Sequence, residues 1–227
     1  MKRRFAVVLL VCLAPAPARA DDGAIEAVGG AVQAMRSHKT IAMESEFVHA
    51  RVSPDSVRVE CLFVLHNRGP ATRVTIGFPC RSSGADVDHA TPFRWFRSYV
   101  DGAPVQVREL PDSTLQSYGD FGSWWVKEVA FASGQTRTLR ETYVAEPGMS
   151  YPNDHSFEYV LETGATWAGP IGSGDIVVTL EGIPPDSVFN ANPKPTSQSP
   201  GEFRWHFTNL EPDIDSGWQT IMLIWKQ

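Results

Sequence analysis

Cysteine is scarce in this chain: of three, one lies within the first twenty residues and only Cys61 and Cys80 follow. Two thiols cannot make a disulfide scaffold, so burial of apolar side chains must hold the fold together. Positive charge is lacking as well. The formal net charge is −6, and leaving out the first twenty residues removes Lys2, Arg3, Arg4 and Arg19 but no acid, which takes it to −10. That balance argues against nucleic acid and anionic lipid as partners, because both reward cationic chains. Beyond residue 20 no hydrophobic run reaches membrane-spanning length, so no span is expected there. No stretch sustains a helical period, no G-x-S-x-G or S-x-x-K nucleophile motif occurs, and no H-E-x-x-H or Cys/His pair stands at zinc spacing. Catalysis would therefore need a site composed from distant residues.

What is present begins with MKRRFAVVLLVCLAPAPARA. Lys2, Arg3 and Arg4 precede an apolar run from Phe5 to Leu13, and Ala18-Arg19-Ala20 offers a small-x-small cleavage site before Asp21. This is the pattern of a secretion signal with cleavage after Ala20, which implies a periplasmic or secreted protein. Cys12 follows Val11 instead of a small residue, which disfavours a lipoprotein cysteine.

The remainder reads as strands. Val57, Val59, Cys61, Phe63 and Leu65 alternate with Arg58, Glu60, Leu62, Val64 and His66, and Asn67-Arg68-Gly69-Pro70 separates them from Thr72 to Phe78. The reading is a hairpin, with Phe63 opposite Val74, Cys61 opposite Ile76 and Val59 opposite Phe78. In that register Cys80 falls about four positions, roughly 13 Å, beyond the partner of Cys61, whereas a disulfide needs Cα atoms within about 7 Å. A Cys61–Cys80 bridge would need a bend after Pro79; the alternative is a buried free thiol at Cys61.

Phe93 to Val100 leads into Asp101-Gly102, a strong hairpin dipeptide, and then Pro104 to Glu109. Later strands are expected at Thr136 to Ala145, Ser156 to Glu162, Asp175 to Glu181, Glu202 to Thr208 and Thr220 to Trp225. Helix candidates are confined to Ala24 to Met35, weakened by Gly29-Gly30, and a turn or two near Pro111 to Ser117. Asn192 to Gly201, with its three prolines, reads as a loop. The expected fold is all-β and mainly antiparallel, a β-sandwich-like protein of two packed units with little helix. An N-terminal segment (21–40) would precede one unit at 41–130 and another at 131–227.

Gly29-Gly30, Ile41-Ala42-Met43-Glu44-Ser45-Glu46, the strand ending at Asn67 and Gly77-Phe78-Pro79 occur in an order that resembles bacterial secreted proteins grouped as domain of unknown function 4424. Val100-Asp101-Gly102 with Pro104-Val105, Phe131 to Gln135, and Tyr159 to Ile171 continue the resemblance over nearly all of the chain past the signal. Its most specific piece is Thr163-Gly164 with Trp167, Gly169, Pro170 and Ile171. Cys80 departs from it, standing after Phe78-Pro79 where a small apolar or proline residue would be expected. The opening strands are also loosely similar to the VIT-type β-sandwich of vault and inter-α-trypsin proteins. The family resemblance implies no activity and supplies no catalytic residues.

Candidate chemistry is sparse. The six histidines are scattered singly. Glu211, Asp213 and Asp215 alternate before Ser216-Gly217 and are the candidates for an oxygen-rich calcium site, but the closing glutamate of an EF-hand loop is missing and a plain acidic turn is the alternative. Glu158 and Glu162 form a carboxylate pair of the kind a glycosidase uses, on the polar side of one expected strand. The aromatic residues point furthest. Among seven tryptophans, Trp205 alternates with Phe203 and Phe207, and Trp225 with Ile221 and Leu223, as core residues do. Trp124 and Trp125 instead follow Tyr118, Phe121 and several glycines and serines, where adjacent side chains on extended backbone point opposite ways and one would face solvent. Tyr118, Trp124, Trp125 and Trp167 are accordingly the expected contacts to a protein or glycan of the cell envelope. The expected function is a non-catalytic binding or assembly module without a cofactor. The alternatives are a periplasmic hydrolase with a carboxylate or composed metal site, and a structural subunit that pairs through a strand edge.

Overall fold

The computed structural model describes residues 28–30, 32–36, 38–83, 93–111, 120–150, 154–212 and 220–226. Within them lie strands β1 (Val28–Gly30), β2 (Gln33–Ala34), β3 (Ile41–Val52), β4 (Val57–Asn67), β5 (Thr72–Ser83), β6 (Phe93–Val100), β7 (Ala103–Val105) and β8 (Arg108–Pro111). They continue as β9 (Asp120–Phe131), β10 (Thr136–Ala145), β11 (Gly148–Ser150), β12 (Asp154–Val160), β13 (Ile171–Leu180), β14 (Val188–Asn192), β15 (Ser197–Ser199), β16 (Glu202–Leu210) and β17 (Thr220–Lys226). Two single 3₁₀ turns, Glu162–Thr166 and Pro185–Ser187, are the other regular elements among the described residues. The all-β expectation therefore holds.

Two sheets face each other. Sheet A runs β14-β17-β12-β1-β5-β9-β8, with β11 on β12 and β2 on β5; sheet B runs β15-β16-β13-β3-β4-β10-β6-β7. Neighbours are antiparallel except at two places, where β1 lies parallel to β12 and β3 parallel to β13. Those parallel pairs form a seam: β4 to β10 occupy one wing of the molecule, β12 to β17 the other, and β1 and β3 tie the wings together in their respective sheets. The expected boundary near Ala130 falls at the end of β9, where Ala130 still pairs with Arg73, and both sheets draw strands from either side of it.

Alternation settles which side chains face inward. Val59, Cys61, Phe63 and Leu65 of β4 are buried, as are Val74, Ile76, Phe78 and Cys80 of β5, and all belong to a single apolar core. Rings cross the sandwich within it: Phe78 of sheet A lies 5.4 Å from Tyr143 and 5.2 Å from Phe96 of sheet B. The predicted β4–β5 hairpin does not form. β4 pairs with β3 and β10, whereas β5 pairs with β9 in the opposite sheet. Both strands keep their apolar faces inward, but across the sandwich from each other, and Asn67-Arg68-Gly69-Pro70 is the crossover between sheets. Ala24 to Met35 is likewise not helical where it is described: Val28–Gly30 and Gln33–Ala34 are strands. A Cβ at Gly30 would meet Val160 O at 2.7 Å, so glycine lets β1 lie against its neighbours. The Asp101-Gly102 turn forms as expected, with φ of 50° and 80° and Val100 paired to Ala103, the two positive φ values that a tight hairpin requires. The stretch read as a loop at Asn192 to Gly201 contains the end of β14 and the short β15.

A β-bulge in β3 places the most unusual core residue. Ile41 and Met43 face inward, the register slips between Met43 and Ser45, and thereafter Glu46, Val48, Ala50 and Val52 face inward. The extra residue reverses the parity and drives a carboxyl group into the core. Beside it in the parallel partner, Gly174 leaves the room that the Phe207 ring fills. Replacing Gly174 with valine overpacks this seam, and a loss of about 1–3 kcal/mol is expected. Urea unfolding should show a lower midpoint at unchanged slope; an unchanged midpoint would contradict the packing.

Candidate functional site

The titratable groups most perturbed by the fold are shut between the sheets. Lys127 of β9 donates to Glu141 of β10, which also accepts from Ser98 Oγ at 3.3 Å, and Tyr159 of β12 donates to Glu46 of β3. Each pair spans from sheet A to sheet B. Burial raises Glu46 to about 7 against the opposing hydrogen bond from Tyr159, and it also raises Glu141 despite the nearby Lys127 ammonium. Cys61 is pushed well up by burial and by the carboxyls of Glu46 and Glu141, and burial takes Cys80 up to about 12. Both cysteines are buried and free, in facing sheets, and thiols so shifted are poor nucleophiles. The Cys61–Cys80 bridge is not present. These groups brace the sandwich, and their burial keeps them from substrate.

The predicted contact residues also lie inside, where the structure describes them. Trp124 is buried on the outward side of sheet A, against Gly77, where the space for a Cβ is closed by Met35 and by Trp124 itself at 3.0 Å. Trp125 faces the core and packs on Phe96 at 5.2 Å and Phe93 at 6.4 Å. Trp167 is buried, its indole Nε1 donating to Val32 O at 2.8 Å. Trp124 and Trp125 do point opposite ways, as extended backbone requires, but both sides of sheet A are covered at that point. Tyr118 lies outside the described residues. So do Asp213 and Asp215, while Glu211 is exposed. Among the described residues no three His, Cys, Asp or Glu side chains gather as a metal set.

Solvent-facing aromatics lie elsewhere: Phe189 of β14, at the edge of sheet A, is 53% exposed, and two more stand on the outward side of sheet B. Trp95 is 45% exposed and Phe47 39% exposed. Register sets them in a grid. One row across the strands reads Trp95, Val144, Arg58, Arg51, Thr179; the next reads Arg97, Thr142, Glu60, His49, Val177; a third reads Tyr99, Arg140, Leu62, Phe47, Asp175. A guanidinium lies over each outward ring of β6, Arg97 over the exposed Trp95 at 5.4 Å and Arg140 over the half-buried Tyr99 at 4.1 Å. Arg140 reaches Glu60 at 3.4 Å, and Arg204 of β16 reaches Asp175 at 3.6 Å. Phe47 and the half-buried Leu62 are neighbours in the third row, Val144 is buried in the first, and arginines and rings stand among them. Trp, Tyr and Arg are the residues that supply most of the energy at protein interfaces.

Trp95 escaped the sequence reading because a bulge hides it. Strict alternation would set Phe93 and Trp95 on one side, but the register shifts between Val144 and Ala145, so Phe93 and Phe96 both point inward and Trp95 outward. The usable signal was the Phe-Arg-Trp-Phe run itself, whose apolar residues fit no single period-two face.

Two grooves flank the sandwich. One of about 390 Å³ is lined by Pro54, Ile183, Pro184, Asp186, Trp225 and Lys226. Another of about 390 Å³ lies along Arg97, Tyr99 and Pro104 at the β6–β7 hairpin. Neither contains the perturbed acids of the core. The outermost strands, β14, β8, β15 and β7, run five, four, three and three residues, and the last three cover only part of longer neighbours: residues 123–126 of β9, 202–204 of β16 and 98–100 of β6. Among the described residues no helix is long and apolar enough to cross a membrane.

No family model matches the chain, and no curated protein does so either. Solved structures do. A Legionella pneumophila protein described as a "putative nutrient binding protein" superposes with a TM-score of 0.70 at 18% identity, over 89% of this chain and 72% of that one. An M1 zinc metallopeptidase from Deinococcus radiodurans gives a TM-score of 0.42 at 13% identity, over 84% of this chain and 43% of its own. The first likeness establishes the shared all-β fold; the second is too low to carry an argument.

The buried acid at Glu46 yields a pH test. Its value is raised from 4.5 to about 7, so the folded chain holds this proton more tightly than the unfolded chain. The resulting contribution to stability is complete below the unfolded value of 4.5 and is lost as pH rises through about 7. For a group this buried the swing is on the order of 3 kcal/mol. Glu46→Gln should remove that slope, so the variant gains on the wild type as pH is raised from 5 to about 8 in parallel denaturant titrations. Two parallel stability curves would contradict the assignment. Lys127→Met should cost about 3–5 kcal/mol, since it strands the Glu141 carboxylate in the core; a loss below 1 kcal/mol would show that Glu141 is already neutral there.

Proposed function

We propose that this is a non-catalytic binding module of the bacterial cell envelope, exported to the periplasm or beyond, and that it engages its partner through the open outer side of sheet B. The exposed cluster around Trp95 carries this reading: Trp95, Arg97 and Tyr99 of β6 and Arg140 of β10 stand together on a sheet face, while the perturbed acids and thiols are enclosed in the core. The signal-like first twenty residues and the resemblance to the secreted proteins of domain of unknown function 4424 support the location. The likeness to the Legionella nutrient-binding protein supports a role in binding rather than turnover. It also favours a second reading, capture of a small molecule, for which the groove beside Ile183, Trp225 and Lys226 has the volume.

Site-specific photo-crosslinking in cells separates the two readings. A crosslinker replacing Thr142, which lies beside Arg97 on the same face, should trap one defined macromolecule, and one replacing Phe189, exposed beside Lys226, should not. Trp95→Ala should weaken that capture at least about tenfold while changing stability by no more than about 0.5 kcal/mol, as befits a surface hot spot. Capture only from position 189, or capture indifferent to Trp95→Ala, would move the site to the groove.

A further inference from the structure

Arg51 and Arg58 are direct cross-strand partners in the β3–β4 pair, both exposed and both on the outward side of sheet B. Like charges directly opposite each other destabilise a sheet, and carboxylates normally offset them. None does so here: among the described residues neither arginine enters an ion pair, whereas the nearby Arg140, Arg204 and Arg94 hold Glu60, Asp175 and Glu146. Arg97 is a third guanidinium without an acid, held over Trp95 one strand beyond Val144. The outward side of β3, β4, β6, β10, β13 and β16, the two bulges included, carries six arginines (51, 58, 94, 97, 140 and 204) against four acids (Glu44, Glu60, Asp175 and Glu202), on a chain of net charge −6. The charge of this face thus opposes that of the whole.

We infer that Arg51, Arg58 and Arg97 form a carboxylate-binding site and that its occupant is an acidic segment of a partner protein. This rests on the reading of sheet B as the binding face and specifies the partner's chemistry. Two observations choose protein over polysaccharide. Sugar stacking needs a free ring face, and guanidinium groups lie over Trp95 and Tyr99. Moreover, Phe47, 39% exposed, and the half-buried Leu62 opposite it put apolar side chains on the same face as the cations, which acidic peptides with apolar side chains complement and uronic acid chains do not. Stacked guanidinium groups are also pre-oriented for bidentate contact with carboxylates.

The test uses the purified protein with poly-L-glutamate, polygalacturonate and anionic phosphatidylglycerol vesicles as probes. Poly-L-glutamate should bind, weaken as salt is raised, and raise the melting temperature. Arg58→Glu should do two opposite things: raise the melting temperature of the free protein by about 1–3 °C by turning a repulsive pair into an attractive one, and weaken poly-L-glutamate binding at least about tenfold. Arg204→Glu, on the same face but already beside acids, should change binding less than about threefold. Poly-L-glutamate binding that Arg58→Glu leaves intact would overturn the site, and so would a variant less stable than the wild type. Preference for polygalacturonate or vesicles would overturn the choice of partner. If the crosslink from position 142 persists in Arg58→Glu, the binding face stands and only the carboxylate assignment falls.

Discussion

The whole molecule depends on the seam of parallel strands. β3 lies between β4 and β13, and β1 between β5 and β12, so each sheet is continuous only because a strand from the beginning of the chain pairs with one from each wing. Parallel pairing brings together residues far apart in sequence, here Val48 with Ile176 and Gly29 with Tyr159. Side chains across the sandwich secure the join. Tyr159 on β12 reaches Glu46 on β3, linking the second wing's sheet A strand to the central strand of sheet B. The carboxyl at Glu46 is costly to bury, but its hydrogen bond and the glycine opposite it fix the bulged register of β3, and hence which residues of that strand face outward.

That register carries through to the binding face. With the bulge, Phe47, His49 and Arg51 look outward and meet Leu62, Glu60 and Arg58 of β4; β10 then aligns Arg140, Thr142 and Val144 beside these, and β6 completes the rows with Tyr99, Arg97 and Trp95. A flat face of this kind is inexpensive to keep rigid, because its side chains rest on a hydrogen-bonded sheet and lose little freedom on binding. Sheet A differs: its outward positions Gly77, Pro79, Trp124, Val126 and Val160 are buried, while Arg73 of β5, Glu128 of β9 and Phe189 of β14 are exposed.

Much of the local structure was legible in the sequence. β6 and β10 run over the residues that alternation and turn dipeptides mark out, and the inward Phe203, Trp205, Phe207 and Ile221, Leu223, Trp225 sets follow from period two alone. Pairing was less legible. Alternation in β4 and β5 reports which side of each strand is apolar, and a hairpin and a crossover between sheets satisfy that pattern equally. The site was the least legible part. Gly/Ser-rich surroundings suggested that Trp124 and Trp125 sit on a loop, but β9 begins at Asp120 and both are strand residues. Trp95 looked like part of an ordinary core strand because a bulge, which depends on the partner strand, decides where it points. The unpaired arginines were invisible for the same reason: Arg51 and Arg58 become neighbours only once β3 and β4 pair.

The central claim is that partner recognition takes place on the outer side of sheet B. Tryptophan indole signals of the ¹⁵N-labelled protein, followed during titration with an acidic peptide containing leucine and phenylalanine, test it most directly. The account predicts that the Trp95 indole and the amides of β3, β4 and β6 shift together and saturate, while the indoles of Trp124, Trp125 and Trp167 stay in place. Shifts gathered at Trp225 and Ile183, with Trp95 unmoved, would contradict it.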